Sequence, residues 1–554
     1  MRKVTLTQLR DIRIGTRWRD FAAVSLIVVT FSWICYRHLD QPGPYGDETW
    51  AASFAILFLK GKDLPFMPSD YIGPISVYFL AGFFAVFGIS LSVMRVATSL
   101  VGLLGILATY LLLKREFGRL AAVTTSLFLA TDLTYVLAMR HDWGVISFGL
   151  LARMLALYFF LSWWRARKRL GFLFLSFLVL GLSLTYRFDY LSFVVSALVG
   201  VVLFYILWLS PRLKAREALT GLAGLTTGAL PILLYNISTG GQTFRQARTI
   251  AVGKGVSSLP TNFVQLWPFL QTLPASIVSR ANDLFLMTRG TYVANWITGE
   301  RVELFSRFGE SRLPSALKIA SPVLLAVIFL PRFRSWRRPF GFLVTVFALT
   351  LLFLAATPIA TGPHHILSVY PLPHIMVGVA LAGIWRIWHE RPKPLVWISR
   401  LTVVAAIGMV IIPNLFLAQT FHTRLVSQGG NGYWSEAIYD LSEAMKHEYA
   451  GKTLVLVDWG FEQPLDVLGQ GEFDLQPVFW RILAEEDPGP WLTTMIRNPQ
   501  AVFAIRSDKF TWNAAIKKRF QDVYLKQQDL VVEERKFYQK NGEHVFSVLR
   551  FHTP

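Results

Sequence analysis

The stretch FAAVSLIVVTFSWICY (residues 21–36), followed by PYGDET (residues 44–49), decides how this chain is organised. The first segment predicts a short membrane helix, and the second places two acids, Asp47 and Glu48, just beyond it. Acidic side chains at a membrane surface are costly unless they are solvated or used, which makes both acids candidate site residues. A solvated turn at Pro44-x-Gly46 would account for the same residues, since Pro and Gly are common in turns.

The composition points to a membrane protein. Of the 554 residues, 53% are hydrophobic and only 16% are charged, against about 25% charged in an average globular protein. Such a chain cannot bury its apolar surface in one water-soluble core, which predicts an α-helical polytopic membrane protein. The net charge of +20 would also suit a nucleic-acid binder, but the basic residues cluster in short links between apolar runs, as in cytoplasmic loops. We therefore predict membrane lipids, and no nucleic acid, as partners.

The basic links also predict the topology. They place the N-terminus in the cytoplasm and imply about eleven membrane helices of a multi-pass plasma (inner) membrane protein. The predicted spans are Phe21–Tyr36, Val96–Leu113, Leu120–Met139, Trp143–Trp164, Gly171–Tyr186, Tyr190–Ser210, Leu219–Tyr235, Lys318–Leu330, Phe340–Ala360, Ile366–Ile384 and Val396–Leu417.

The first outer loop is predicted to hold two helices that do not cross the membrane. Trp50–Leu59 has the pattern of a short amphipathic helix, and Tyr71–Gly88 is apolar but broken. The next span ends in Lys114-Arg115, which should be cytoplasmic, so it enters from the outside. Because the chain is already outside after its first span, the 71–88 segment should be re-entrant or interfacial.

A change in composition divides the chain into a transmembrane domain, residues 1–419, and a small C-terminal α/β extracytoplasmic domain, residues 420–554. In the second region Thr453–Asp458, Ala501–Ile505 and His544–Phe551 are predicted strands, and Trp512–Phe520 is a predicted helix. Alternating strands and helices favour an α/β fold. The region has no glycine-rich nucleotide fingerprint and no metal-ligand spacing.

Several ionisable residues from distant loops meet at the predicted outer face. A transferase that uses a lipid-linked sugar needs a carboxylate to accept the proton of an acceptor hydroxyl and cations to hold the donor phosphate. Asp47 fits the base, and Glu48 and Asp142 are further candidate acids. The candidate phosphate-binding residues are Arg140, His141, Arg187, His364 and His365. For each residue alone, a solvated turn position is the simpler interpretation.

Two charged residues lie inside predicted spans. Asp132 and Arg153 are each about nine to twelve residues from the turn at 140–142, roughly 13–18 Å deep at 1.5 Å per residue. Adjacent antiparallel helices would bring them to similar depth, which predicts a structural ion pair.

The order of the motifs resembles the GT-C membrane glycosyltransferases, specifically the protein-mannosyltransferase-like family 39 group and the related bacterial lipid A sugar transferases. The resemblance covers roughly residues 20–210 well and the later spans loosely. It is carried by YGDETW (45–50), GPISVY (73–78), Phe87-Gly88, Arg95, KREFG (114–118) and RHD (140–142). Two positions depart from the family pattern, because Ser69-Asp70 stands where a lysine is often found and His364-His365 replaces an Arg-Tyr pair.

The resemblance implies a GT-C-like fold and inverting transfer from a polyprenyl-phosphate sugar to a lipid, glycan or protein acceptor. It implies Asp47 as the base and Asp142 as a second acid of the site. No cofactor is predicted; Asp47 and Glu48 are oxygen ligands suited to a divalent cation, but no convincing third ligand accompanies them.

Two other function classes remain open from the sequence. A transporter or flippase for a lipid-linked glycan would need charges along a central path and often carries inverted repeats, whereas here the charges cluster at one face. A non-enzymatic envelope assembly protein, with the C-terminal region as its recruiting surface, would keep its function after Asp47→Asn.

Overall fold

A computed structural model describes residues 6–62, 67–165, 169–207, 214–246, 263–299, 321, 334–356, 366–388 and 392–554. Among these residues, helices dominate the first three quarters of the chain, and all of the strands lie in the last quarter. In the first part the helices are α1 (Leu6–Cys35), α2 (Gly46–Leu59), α3 (Ile75–Phe87), α4 (Leu91–Glu116), α5 (Arg119–Thr131), α6 (Leu133–Arg140), α7 (Ser147–Arg165), α8 (Leu170–Tyr186), α9 (Leu191–Val201), α10 (Ala215–Ser238), α11 (Phe263–Thr288), α12 (Thr291–Thr298), α13 (Arg334–Ala356), α14 (Leu372–Trp388) and α15 (Lys393–Gln428).

Eight helical segments of the described residues are long and apolar enough to cross a membrane, and a ninth is formed if α5 and α6, bent by 65° at a short break, are counted as one span. Two of the eleven predicted spans are not among these nine. One is α8, an apolar helix of only 17 residues, and the other, Lys318–Leu330, lies almost wholly outside the described residues. The multi-pass architecture is therefore present, while the count of eleven stays a prediction.

The first outer loop contains two short helices. Helix α2 begins at Gly46, four residues before the predicted start. Helix α3 has 13 residues, which at 1.5 Å per residue gives about 20 Å, less than the roughly 30 Å of a bilayer core. A backbone bridge between Ile72 and Arg187 fixes the start of this segment against the end of α8.

The last quarter of the chain is an α/β region built on a five-stranded sheet of order β2-β1-β3-β5-β4. β1 pairs in parallel with β2 and β3, and β5 runs antiparallel to β3 and β4. Both faces of the sheet carry apolar clusters. The elements are α16 (Ala437–His447), β1 (Thr453–Leu456), α17 (Glu462–Leu468), β2 (Asp474–Pro477), α18 (Phe479–Ala484), α19 (Gly489–Ile496), β3 (Ala501–Arg506), α20 (Ala514–Tyr524), β4 (Val531–Tyr538) and β5 (His544–His552).

Helix α15 joins the two parts and passes through the boundary predicted at 419/420, since it continues to Gln428. Its C-terminal end is apolar on one side, where Phe421 and Leu425 are fully buried in the helical core. The helix ends before Gly429, which has a positive φ of 75° that glycine adopts without strain. The division into two domains stays a prediction.

The predicted ion pair between Asp132 and Arg153 is wrong. Asp132 begins α6, where its Oδ1 accepts a hydrogen bond from the backbone N of Tyr135 (3.0 Å), and its Oδ2 lies 2.8 Å from Nε2 of His374 on α14. Arg153 instead donates to backbone carbonyls, among them that of Gly149 at 2.9 Å. The chain bends at Asp132, so its carboxylate meets α14 rather than α7, which spacing along the sequence cannot reveal.

Candidate active site

Asp47 and Glu48 occupy the first turn of α2. Helix geometry separates consecutive side chains by about 100° around the axis, so the two acids face different surroundings. Both carboxylates lie near the positive end of the helix dipole, which favours negative charge there. The difference between them therefore comes from the residues that each one meets.

Glu48 is 3% exposed and lies in a buried ionic cluster. Its carboxylate accepts two hydrogen bonds from Arg95, at 2.6 Å from Nε and 3.0 Å from Nη2, and lies 2.8 Å from Nδ1 of His141. It also accepts from the backbone N of Tyr45 at 3.3 Å, which caps the helix. Burial raises the pKa of Glu48, but Arg95 and His141 outweigh it and lower this pKa to about 2. Glu48, predicted as a catalytic acid, is therefore bonded inside the protein to Arg95 and His141, and its catalytic role stays a prediction.

His141 belongs to the same buried cluster. Burial lowers its pKa to about 4, despite the opposing effect of Glu48. The imidazole is therefore neutral at pH 7, and because a carboxylate can only accept, Nδ1 donates to Glu48. Its ring packs edge-on against Trp434 at 5.1 Å between centroids. Its side chain is 1% exposed and bonded inside the protein, and the predicted phosphate contact of His141 stays a prediction.

Arg140 holds the chain that leaves α1. Its guanidinium donates to four backbone carbonyls between the end of α1 and the first outer loop, and the side chain has no exposed surface. The accepting residues are Cys35 (3.1 Å), Arg37 (2.8 Å), His38 and Gln41 (2.5 Å). A phosphate contact by Arg140, as predicted, would need these bonds to break.

Asp142 shapes the loop between α6 and α7. Its Oδ1 accepts from the backbone N of Ile146 (2.8 Å) and Ser147 (2.7 Å) at the start of α7. Asp142 and Val145 have positive φ values of 38° and 61°, and such conformations cost about 1–3 kcal/mol and persist where surrounding contacts hold them. Burial raises the pKa of Asp142, although the two amides and Arg187 oppose it.

Arg187 joins these loops. Its side chain is 2% exposed, donates to the carbonyl of Gly144, and pairs with Asp189 at 2.9 Å. Its positive charge also acts on the carboxylates of both Asp47 and Asp142, lowering their pKa values. Of the predicted cations, Arg187 is the one that the described residues bring to Asp47.

Asp47 differs from its neighbours because it remains partly exposed. Burial raises its pKa above the ordinary value of 3.8, against the opposing effects of the nearby Tyr45 hydroxyl and the charge of Arg187. A carboxylate with a raised pKa and an accessible edge is suited to accept a proton from a substrate. The two remaining candidates, His364 and His365, lie outside the described residues.

Sequence reasoning missed the roles of Arg95, Tyr45 and His374. Arg95 is one of the residues that carry the family resemblance, and a lone cation at the start of an apolar span is itself a signal of a specific partner. Tyr45 and His374 carried no comparable signal, because an aromatic residue or a histidine in an apolar setting is ordinary. Among the described residues no group of three His, Cys, Asp or Glu side chains is arranged to hold a metal ion.

Comparison with known proteins gives a family match and structural relatives. Residues 71–235 match the family model described as dolichyl-phosphate-mannose-protein mannosyltransferase, and no curated protein sequence matches the chain. The structure resembles ArnT from Cupriavidus metallidurans in the apo state, with a TM-score of 0.60 at 15% identity, covering 97% of this chain and 98% of ArnT. ArnT bound to undecaprenyl phosphate gives 0.58 at 15% identity, with 96% and 98% covered.

A third relative is an archaeal oligosaccharyltransferase. The Archaeoglobus fulgidus enzyme, tethered to an acceptor peptide, aligns with a TM-score of 0.52 at 12% identity, over 96% of this chain and 74% of that one. At such identities the structural likeness is one of fold, and it extends over the C-terminal region as well as the helices. The chain is therefore similar to a dolichyl-phosphate-mannose-protein mannosyltransferase over residues 71–235, and it shares the fold of ArnT over almost its whole length.

Proposed function

We propose that the protein transfers a sugar from a polyprenyl-phosphate donor to an envelope lipid, glycan or protein at the outer face of the membrane, with inversion and with Asp47 as general base. The observation that carries this proposal is the contrast between two acids beside one arginine. Asp142 is buried and bonded to two backbone amides, whereas Asp47 is partly exposed beside the same Arg187. Asp47 is therefore the carboxylate that a substrate can reach.

The chemistry follows from these positions. The oxygen of an acceptor hydroxyl forms a bond to the anomeric carbon of the sugar, while Asp47 takes the hydroxyl proton. The bond between that carbon and the phosphate oxygen breaks, and its electron pair leaves with the lipid phosphate. A positive charge near the developing phosphate charge lowers the barrier. Arg187 is our candidate for this role through its charge alone, because its side chain is buried and bonded to Gly144 and Asp189. Attack opposite the leaving group in one displacement inverts the anomeric centre.

The roles of the two acids are separate in this proposal. Asp142 orients the loop from which Gly144 binds Arg187, and so fixes the arginine relative to Asp47. The donor class is supported by the undecaprenyl phosphate in the ArnT structure, whose fold this chain shares. The acceptor peptide in the archaeal relative supports a protein as one of the candidate acceptors.

The test uses the purified full-length protein in lipid nanodiscs, offered polyprenyl-phosphate sugars together with lipid, glycan and peptide acceptors. Wild type is compared with Asp47→Asn, which keeps the shape of the side chain and removes its basicity. We expect Asp47→Asn to lower the transfer rate by about 10²–10⁴-fold, the usual contribution of a general base. Asp522→Asn, which changes an acid on α20 in the C-terminal region, is the matched control and should retain wild-type activity.

Transfer that survives Asp47→Asn would overturn the assignment of the base. No transfer by wild type from any donor would overturn the proposed reaction. In that case, movement of a labelled lipid-linked sugar across the bilayer would indicate a flippase, and an envelope phenotype unaffected by Asp47→Asn would indicate an assembly protein.

A further inference from the structure

Tyr45 lies in a cage of aromatic side chains, most of which come from the C-terminal region. Its ring stacks on Trp434 at 4.7 Å between centroids and meets Trp459 edge-on at 5.7 Å. Tyr433 and Trp143 lie edge-on at 6.2 Å each. Such aromatic pairs contribute beyond the area they bury and restrict the ring to one orientation. Tyr45 immediately precedes α2, two residues before Asp47.

Arg506, at the end of β3, anchors this cage. It is 2% exposed, and its Nε and Nη2 donate to the backbone carbonyls of Trp459 and Gly460, both at 3.2 Å. Its guanidinium lies over the ring of Tyr433 at 4.0 Å and that of Phe461 at 4.5 Å. Arg506 therefore fixes both the loop that contains Trp459 and Gly460 and the ring of Tyr433, which forms one side of the cage.

The same loop is tied from its other side by Asp458. The carboxylate accepts from the hydroxyl of Thr511 (2.7 Å) and the backbone N of Trp512 (3.1 Å), joining the loops that follow β1 and β3. The carboxyl ends of parallel strands are where open α/β sheets place functional loops. Here that edge of the sheet meets the start of α2.

The contact between the loop and α2 is close. A Cβ built on Gly46 would lie 3.4 Å from the Cα of Gly460 and from the ring of Trp459. Gly460 has a φ of 88°, and a Cβ there would lie 3.1 Å from Tyr433. Glycine at 460 thus allows the loop to pass directly against the residue that precedes Asp47.

We infer that residues 458–460, held by Arg506, make Tyr45 a positioning residue for Asp47, so that the C-terminal region completes the active site. The inference rests on the proposed function, because it assigns Tyr45 a role in the reaction of Asp47. Tyr45 caps α2, since its backbone N donates to Glu48 at 3.3 Å, and its hydroxyl lowers the pKa of the Asp47 carboxylate. The cage fixes the position of this hydroxyl and of the helix start, and through them the carboxylate edge that faces the substrate.

A pH profile separates this role from simple packing. The charged and titratable groups that face Asp47 are Tyr45, Tyr71 and Arg187, while Tyr433 and Arg506 act on Tyr45. The Tyr45 hydroxyl lowers the pKa of Asp47, so its removal raises that pKa. Because the base is active when ionised, the acidic limb of the rate profile must then move to higher pH.

The experiment measures sugar transfer against pH for wild type, Tyr45→Phe, Arg506→Lys and the double variant. Tyr45→Phe keeps the ring and loses only the hydroxyl, and we expect the acidic limb to move up by about one pH unit, the size expected when a carboxylate loses a polar group that stabilises its charged form. Arg506→Lys keeps the charge but loses the forked donation to the two carbonyls. It should move the limb in the same direction and lower kcat more than it changes KM.

The double variant tests whether the two residues act through one path. If Arg506 works through Tyr45, the double variant moves the limb no further than Tyr45→Phe alone, because coupled residues are not additive. Arg519→Lys is the matched control, since Arg519 also donates to two backbone carbonyls of this region, those of Ile482 (2.9 Å) and Glu485 (2.7 Å), which lie outside the cage. It should leave the profile unchanged.

The outcomes distinguish the inference from the function on which it rests. An active wild type and an inactive Asp47→Asn, with an unchanged Tyr45→Phe profile, would overturn the inference and leave the proposed function standing. Fully additive changes in the double variant would overturn the path through Tyr45. A wild type with no transfer contradicts both.

Discussion

Two ionic clusters flank the first turn of α2, and neighbouring residues belong to different ones. The cluster of Glu48, Arg95 and His141 is sealed, with no side chain more than 3% exposed. The cluster of Asp47, Asp142 and Arg187 is buried except at Asp47 itself. The first has an almost complete set of hydrogen bonds at the carboxylate, whereas the second leaves one carboxylate edge accessible.

Adjacent acids in a motif therefore need not share a function. A fully bonded carboxylate has its pKa lowered and stabilises the fold, while a partly exposed one with a raised pKa can exchange a proton with a substrate. The sealed cluster also fixes the turn from which Asp47 projects. The position of Asp47 can therefore be maintained although its own carboxylate is not fully hydrogen-bonded.

Of the changes considered, Glu48→Ala should have the largest effect on stability. The change leaves Arg95 buried without its carboxylate, and removal of one partner of a buried pair costs about 3–5 kcal/mol of unfolding free energy. We expect a lower unfolding temperature in detergent and poor yield, whereas Asp47→Ala should alter stability far less. Replacing both partners, as Glu48→Ala with Arg95→Met, should recover much of the loss. An unchanged unfolding temperature for Glu48→Ala would contradict the structural assignment.

Arg187→Gln tests the open cluster with a smaller effect. Loss of its positive charge raises the pKa of Asp47, so less of the base is ionised at neutral pH. At a pH below that pKa, the rate falls about 10-fold for every unit by which the pKa of Asp47 rises, and raising the pH should recover this part of the loss. Arg187→Lys, which retains the charge, is the control. A loss of the same size in Arg187→Lys and Arg187→Gln would indicate that Arg187 acts through hydrogen-bond geometry alone.

Lowering the pH should separate the effects of Asp47 and Glu48 without any mutation. The pKa of Asp47 is raised above 3.8, so activity is lost as the pH falls through that raised value. The pKa of Glu48 is lowered from 4.5 to about 2, so its contribution to stability is present above pH 4.5 and disappears only as the pH falls toward 2. We expect the transfer rate to fall reversibly at a higher pH than the one that unfolds the protein. Coincident loss of activity and folded structure would contradict this separation.

The sequence predicted the positions of most helices and of the main strands. Apolar runs and basic links locate the spans, and the short length of α3 agrees with its prediction as a segment that does not cross. The prediction failed for side chains whose partners lie far along the chain. Asp132 was assigned to Arg153 because both lie at similar depth, but the bend after α5 brings it to His374.

The same limit applies to the candidate site. RHD at 140–142 was predicted to be one functional motif, yet its three side chains hold the outer-loop carbonyls, Glu48, and the start of α7, respectively. Consecutive residues at a helix end point in different directions, so their partners depend on which helices surround that end. No spacing rule within the motif contains this information.

The sequence by itself determined that this protein is a multi-pass membrane protein and that Asp47 lies just beyond its first span, because hydrophobic length and charge distribution are local properties of the chain. Only the tertiary structure decided that Asp47 is accessible while Glu48 is sealed, and that Tyr45 is enclosed by the C-terminal region. Burial and pairing depend on neighbours brought together by folding, from Arg95 to Arg506. The motif at residues 44–49 therefore locates the candidate site, and the contacts around it distinguish Asp47 from Glu48.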